Sequence, residues 1–272
     1  MKKILGLVLV IGLAAVLLGG CNSLRIGGNV LAVRGDGNVI EHSTSVNIDG
    51  GVSLQVTGFS LVNPVQTPQL VIDETLGNDI VITADENILE HIDVRITGST
   101  VRIESSGNTR LTPTQLTIET GLQVTNLRLS GAWRAYVTCT RVEDFTANFS
   151  GSTRGDFTLG EVNRLDLSGS GSARFTVYAT ANDARVNISG SGRATLTGAA
   201  ETVDLRISGS GRVEAFDFLT QTARVNISGS GRVDIAVEEE LDARVSGSGR
   251  VTYDGNPRIS QSVSGSGRVN QR

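Results

Sequence analysis

The chain has 272 residues, of which 33 are glycine, 4 proline and 2 cysteine; 39% are hydrophobic, and the formal net charge is -4. Near-average hydrophobic content without a collagen period excludes disorder and a triple helix, and mild acidity without a basic tail excludes a nucleic-acid-binding surface. Lysine occurs only at Lys2 and Lys3, so every other long cationic side chain is arginine.

In chain order, Lys2 and Lys3 precede an apolar run from Ile4 to Leu18 and then Leu18-Gly19-Gly20-Cys21. Positive charge holds the N-terminus on the cytoplasmic side, and the run is shorter than the roughly 20 residues of a comfortable membrane span. The tetrapeptide resembles the lipobox of bacterial lipoproteins. That resemblance implies a signal peptide over 1–20, cleavage before Cys21, lipidation of its thiol and a short tether over 21–29. Asn22, in place of aspartate, resembles lipoproteins sent to the outer membrane in diderm bacteria. The remainder, 30–272, is expected to be one domain, irregular to about residue 120 and regular after it. Cys139 is then the only cysteine of the body and cannot form an intramolecular disulfide; sharing parity with Val137, it is expected to face inward.

Within 25–120, short alternating stretches flank glycines. Val46-Asn47-Ile48-Asp49-Gly50-Gly51-Val52-Ser53-Leu54-Gln55-Val56 and Val94-Arg95-Ile96-Thr97-Gly98-Ser99-Thr100-Val101-Arg102-Ile103 each predict two strands about a turn. Pro64 and Pro68 mark a loop, since neither can donate to a ladder. Ala84 to His91 is one helical turn at most.

Further on, Gly-Ser-Gly recurs at Gly169, Gly190, Gly209, Gly229, Gly247 and Gly265, at intervals of 21, 19, 20, 18 and 18, with weaker copies around Gly131 and Gly151. Repetition at such a period marks a solenoid. Around each copy the apolar residues alternate: Val225 and Ile227 oppose Arg224 and Asn226, then Val233 and Ile235 oppose Arg232 and Asp234. One unit cannot bury its apolar stripe alone, so units must stack. The expected fold is all-β: a single-stranded right-handed β-helix, or β-solenoid, with coils of about 18–21 residues. Division of the body by the repeat gives about a dozen coils and a length of about 60 Å.

Stacking is expected to place Arg193, Arg212, Arg232, Arg250 and Arg268 in one outward column and Arg185, Arg206, Arg224 and Arg244 in another. Like charges directly opposed are destabilising. Asp183, Asp204, Asp234 and Asp242 are the candidate counterions; without them the columns would form a polyanion-binding surface.

Gly35-Asp36-Gly37-Asn38-Val39, the stretch from Val81 to Ile92, and the recurring Ile-Ser-Gly-Ser-Gly together resemble the bacterial family called the putative autotransporter adhesin head GIN domain. The resemblance covers most of residues 30 to 270. It implies a β-helical exported protein, often a lipoprotein, with no catalytic residues to carry over.

The side-chain chemistry agrees. His42 and His91 lie about 50 residues apart without a third ligand, so neither a zinc site nor a catalytic triad is expected. No serine stands in a nucleophile elbow. Glu238-Glu239-Glu240-Leu241-Asp242, Asp73-Glu74, Asp85-Glu86 and Glu143-Asp144 are expected to be solvated bends rather than converging carboxylates. Arg34-Gly35-Asp36 spells an integrin-binding tripeptide but falls inside the Gly-Asp-Gly turn. No enzyme activity, metal or cofactor is expected. The expected function is that of a non-catalytic, lipid-anchored, extracytoplasmic protein, an adhesin or glycan-binding module. A structural module that self-associates edge to edge is the alternative, and a polysaccharide-active enzyme the remote one. Expected partners are the membrane, through the lipid; an extracellular or envelope glycan; and a second copy at the open edge left by the last repeat, Val263 to Val269.

Overall fold

The structure, a computed structural model, describes residues 33–107 and 109–272, with the backbone of Arg25–Ile26 and Asn29–Val30; Cys21 and its flanking residues lie outside the described residues. The chain is almost wholly β. β1 (Arg25–Ile26) and β2 (Asn29–Val30) form a small antiparallel pair. The irregular part then comprises β3 (Val33–Arg34), β4 (Val39–Thr44), β5 (Val52–Thr57), β6 (Ser60–Leu61), β7 (Gln69–Asp73), β8 (Ile80–Asp85), α1 (Glu86–Leu89), β9 (Ile92–Thr97), β10 (Thr100–Ser105), β11 (Arg110–Thr112) and β12 (Leu116–Thr120). After β13 (Val124–Gly131) come six long strands, β14 (Arg134–Gly151), β15 (Arg154–Gly171), β16 (Arg174–Gly190), β17 (Arg193–Gly209), β18 (Arg212–Gly229) and β19 (Arg232–Gly247). β20 (Arg250–Asp254), β21 (Arg258–Gly265) and β22 (Arg268–Gln271) complete the chain.

Each long strand is one coil bent at its middle. β19 makes the division plain, since its first half pairs with β20 and its second half with β21. First halves stack into one sheet, second halves into another, and all neighbours from β13 onward are parallel and in register apart from irregularities near the middle bend. Val186, Leu205, Val225 and Ala243 thus form one inward column. Along β18, Val213, Ala215, Ala223, Val225 and Ile227 are buried while Arg212, Glu214, Arg224 and Asn226 point outward. Burying such a side chain contributes about 1.5–3 kcal/mol, and the shared columns are what a lone repeat lacks. The solenoid has about seven turns, not about a dozen. The shortfall arises before β13, where residues go into antiparallel strands and loops instead of 20-residue coils.

At the corner between the faces stands a file of glycines. Gly229 has φ +118°, and a Cβ there would lie 2.6 Å from the carbonyl oxygen of Gly209 one coil below, so only glycine can stack. The register also corrects the phase of the first Gly-Ser-Gly. Gly171, not Gly169, pairs with Gly190 at the corner, whereas Gly169 faces inward between Phe149 and Ile188. Gly169 is glycine because a Cβ would sit 2.8 Å from the Phe175 ring; Phe149 likewise fills the space over Gly155. The two phenylalanines enter the core from opposite faces, one from the coil on each side of β15, with ring centroids 5.1 Å apart.

The N-terminal end is closed by a coil running backwards. β8 pairs antiparallel with β12, β9 antiparallel with β10, and β4 antiparallel with β8, while α1 spans the gap from β8 to β9. Asp85 at the start of α1 corrects the expectation of a solvated bend: it is fully buried. Its carboxylate accepts the Gly37 amide at 2.9 Å and the Thr114 amide at 2.8 Å. The Asn87 side chain joins the same clamp, accepting the Asp36 amide at 3.2 Å and donating to the Arg34 carbonyl at 2.8 Å. Arg34-Gly35-Asp36 is therefore tied down through its backbone. Two of the segments that carried the family resemblance meet here. At the other end β21 is exposed throughout, with Ile259 38% and Val263 41% accessible and Gln261 between them in the inward column.

Two substitutions test these packing arguments. Gly169→Val is expected to lower unfolding free energy by about 1–3 kcal/mol, with Phe175→Leu in the same molecule restoring part of the loss. Asp85→Ala strands two backbone amides and is expected to cost about 2–4 kcal/mol in urea denaturation; a loss below about 1 kcal/mol would show that the clamp is not structural.

Candidate functional site

No constellation of the described residues converges on a point. None forms a group of three or more histidine, cysteine, aspartate or glutamate side chains that could hold a metal. His42 is exposed on β4 and His91 follows α1; Glu238, Glu239 and Glu240 point into solvent. Cys139 packs its side chain partly against the core, as its parity with Val137 implies. Burial pushes its thiol up from the ordinary value, and the nearby Glu74 charge acts in the same direction. Such a thiol is protonated near neutral pH and is a weak nucleophile.

Outward residues instead form columns, and the register decides what each arginine meets. Arg185, Arg206, Arg224 and Arg244 do not share a column. Arg185 and Arg224 alternate with aspartate in the series Asp166, Arg185, Asp204, Arg224, Asp242. Arg206 and Arg244 alternate with amides in the series Asn187, Arg206, Asn226, Arg244. The physical reason is phase: Arg185 and Arg224 stand five residues before their corner glycines, Arg206 and Arg244 three before theirs.

All four have carboxylate partners. Arg185 lies 3.7 Å from Asp166, Arg206 2.7 Å from Asp204, Arg224 3.6 Å from Asp242 and Arg244 3.0 Å from Asp242. Each exposed pair contributes little by itself, about 0.2–1 kcal/mol, but alternation leaves no like charges stacked. On this face the arginines satisfy their own aspartates. A shallow groove of about 500 Å³ runs beside them, lined by Asn187, Arg206, Asn226, Arg244 and neighbouring serines.

The other face behaves differently. Arg193, Arg212, Arg232, Arg250 and Arg268 do form one column, and it is longer than expected: Arg134, Arg154 and Arg174 continue it in the same register. Eight arginines thus stack without interruption, each immediately beyond the corner. The three were missed because the second glycine of Gly-Ser-Gly is replaced by Trp133, Thr153 and Ala173; an arginine three residues after each corner glycine was the available signal. Among the eight, Arg134 meets Asp156 at 3.0 Å and lies over Tyr136, and Arg212 meets Glu214 at 3.5 Å. No carboxylate of the described residues lies within 4.0 Å of the other six, and Asp183 and Asp234, expected as counterions, bridge none of them. Each unrelieved stacking of guanidinium on guanidinium costs on the order of a few tenths of a kcal/mol.

Serines flank this column. The corner sequence places Ser191, Ser210, Ser230 and Ser248 two residues before their arginines, all exposed. Beyond the glycines, Ser170, Ser189, Ser208, Ser228, Ser246 and Ser264 form a second file in register. Aromatic platforms are few: Trp133 and Tyr253 are buried, and Tyr178 is the tyrosine most open to solvent.

Solved structures share this architecture. A putative adhesin from Parabacteroides merdae is similar at a TM-score of 0.74 and 22% identity, over 89% of this chain and 99% of that one. A putative lipid binding protein from Parabacteroides distasonis is similar at a TM-score of 0.73 and 22% identity, over 89% and 100%. A putative adhesin from Bacteroides fragilis reaches a TM-score of 0.60 at 17% identity, over 89% and 100%. At these identities the likeness is one of fold. No curated protein matches the chain. The family model described as "Putative auto-transporter adhesin, head GIN domain" matches residues 59–257, and the chain belongs to that family.

Proposed function

We propose that the protein is exported, fixed to a membrane by lipid on Cys21, and presents its solenoid as a non-catalytic adhesive module that binds glycan. The observation that carries this reading is the repetition of the outward surface. From β14 to β22 each coil offers similar side chains in register about 4.8 Å above the last, and none of the described residues converge as catalysis on a small substrate requires. A surface of that kind suits a polymer held by many weak contacts. Family membership supports the adhesive role. The Leu18-Gly19-Gly20-Cys21 sequence supports export and anchoring, and Asn22 favours the outer membrane where there is one.

A second reading, self-association through the last coil, is favoured by the exposed Ile259 and Val263 on β21 and opposed by Gln261 between them.

Protease shaving of intact cells, with a periplasmic protein as control, is expected to remove the solenoid while the control survives. Full protection would count against the adhesive role. Cys21→Ser is expected to shift the protein from the membrane to the soluble fraction. For the second reading, sedimentation of the protein in detergent is expected to show a concentration-dependent dimer that Val263→Asp abolishes; a monomer at all concentrations would dispose of it.

A further inference from the structure

We propose that the eight-arginine column and the corner serines beside it form a linear track for an acidic polysaccharide, with a carboxylate of the polymer seated on each rung or every second rung. This deepens the glycan-binding reading and rests on it.

The argument begins with the contrast between the two faces. Both are made by the same repeat, with the same spacing and the same choice of arginine. On the face before the corner, aspartates are interleaved so that Arg185, Arg206, Arg224 and Arg244 are each within 4.0 Å of a carboxylate. On the face after it, aspartate never occupies the arginine column, although register makes that position as available as its counterpart. Six of the eight guanidiniums have no carboxylate of the described residues within 4.0 Å, and the N-terminal residues outside them contain no aspartate or glutamate at all. A purely structural column would be relieved in the way its neighbour is. Here the compensating negative charge is left to come from outside the molecule.

The geometry then selects the partner. Seven steps of about 4.8 Å give a straight track about 34 Å long. In the neighbouring outward positions Asp156, Glu214 and Asp234 are the only acids, so the strip keeps a positive balance of five on a chain whose net charge is -4. Arginine presents a planar fork that pairs with a carboxylate through two hydrogen bonds, and Ser191, Ser210, Ser230 and Ser248 stand beside it to exchange hydrogen bonds with sugar hydroxyls. Nucleic acid is a poorer fit. Tyr178 is a single open ring on this face where a strand of bases needs a succession of them, since Tyr136 is covered by Arg134 at 5.0 Å and Phe216 by Arg272 at 4.8 Å, and a duplex strand repeats its phosphates at about 3.4 Å along the axis.

The test uses the lipidated full-length protein in detergent, with polygalacturonate as the acidic polymer, dextran as the neutral one and duplex DNA at matched charge, at low ionic strength. Two triple variants change the charge equally: Arg174→Gln, Arg193→Gln, Arg232→Gln in the unpaired column, and Arg185→Gln, Arg206→Gln, Arg224→Gln on the paired face. Polygalacturonate is expected to bind and dextran not to, with the first variant weakening binding at least about tenfold and the second less than about threefold. Affinity is expected to rise with oligogalacturonate length and level off at about eight units, the number of rungs. The first variant, relieved of like-charge stacking, is expected to melt at or above the wild-type temperature, which also shows that it folds. Equal weakening by both variants, tighter binding of DNA than of polygalacturonate, absence of binding, or a lower melting temperature for the first variant would each overturn the proposal. A protein protected from shaving that still binds through the column would overturn the surface reading and leave the track standing.

Discussion

Parallel stacking in strict register makes every side chain the neighbour of its own counterpart in the next coil, about 4.8 Å away. Any preference or penalty at one position is therefore repeated along the whole body. The core exploits this, since Val186, Leu205, Val225 and Ala243 pack directly on one another. The corner obeys it, since a Cβ on one glycine meets the carbonyl of the glycine below. Charge is where the rule is most demanding, because a repeated ion is a column of repulsion unless the sequence breaks the repetition.

The chain handles that demand in two opposite ways. Before the corner the repeat is varied from coil to coil, so that Asp166, Arg185, Asp204, Arg224 and Asp242 alternate. After the corner it is not varied, and arginine follows arginine from Arg134 to Arg268. Coil length also changes, between 18 and 20 residues, and the change is taken up as irregularities near the middle bend, for example between Ala215 and Leu219. The corner and the arginine beyond it never shift.

Much of this was legible in the sequence because period and parity are read without knowing the fold. Alternation gave the inward residues, the glycines gave the corner, and a constant offset from the glycine gave five members of the arginine column. What escaped depended on phase or on distant neighbours. Arg185 and Arg206 look equivalent when repeats are matched by their arginines, and only pairing to the corner glycine separates them. Gly169 imitates a corner because its reason for being glycine is the ring of Phe175 in the next coil. Asp85 resembles any other acidic bend until Gly37 and Thr114 are brought to it from 48 and 29 residues away. The turn count failed because antiparallel strands such as β8 and β9 share the alternation of a coil and differ only in direction.

The coil made by β5, β6 and β7 is sandwiched between coils that come later in the chain: β5 lies between β10 and β13, and β7 between β12 and β14. As the polypeptide emerges from a ribosome or an export channel, neither β5 nor β7 has a strand to pair with until at least residue 100 has appeared, and neither is covered on both edges before β13 and β14 have followed. Half of the chain must be delivered before its first coil is enclosed. The regular coils face no such delay, for each can be laid on the one before it as it arrives, so assembly is slow to start and then proceeds one rung at a time.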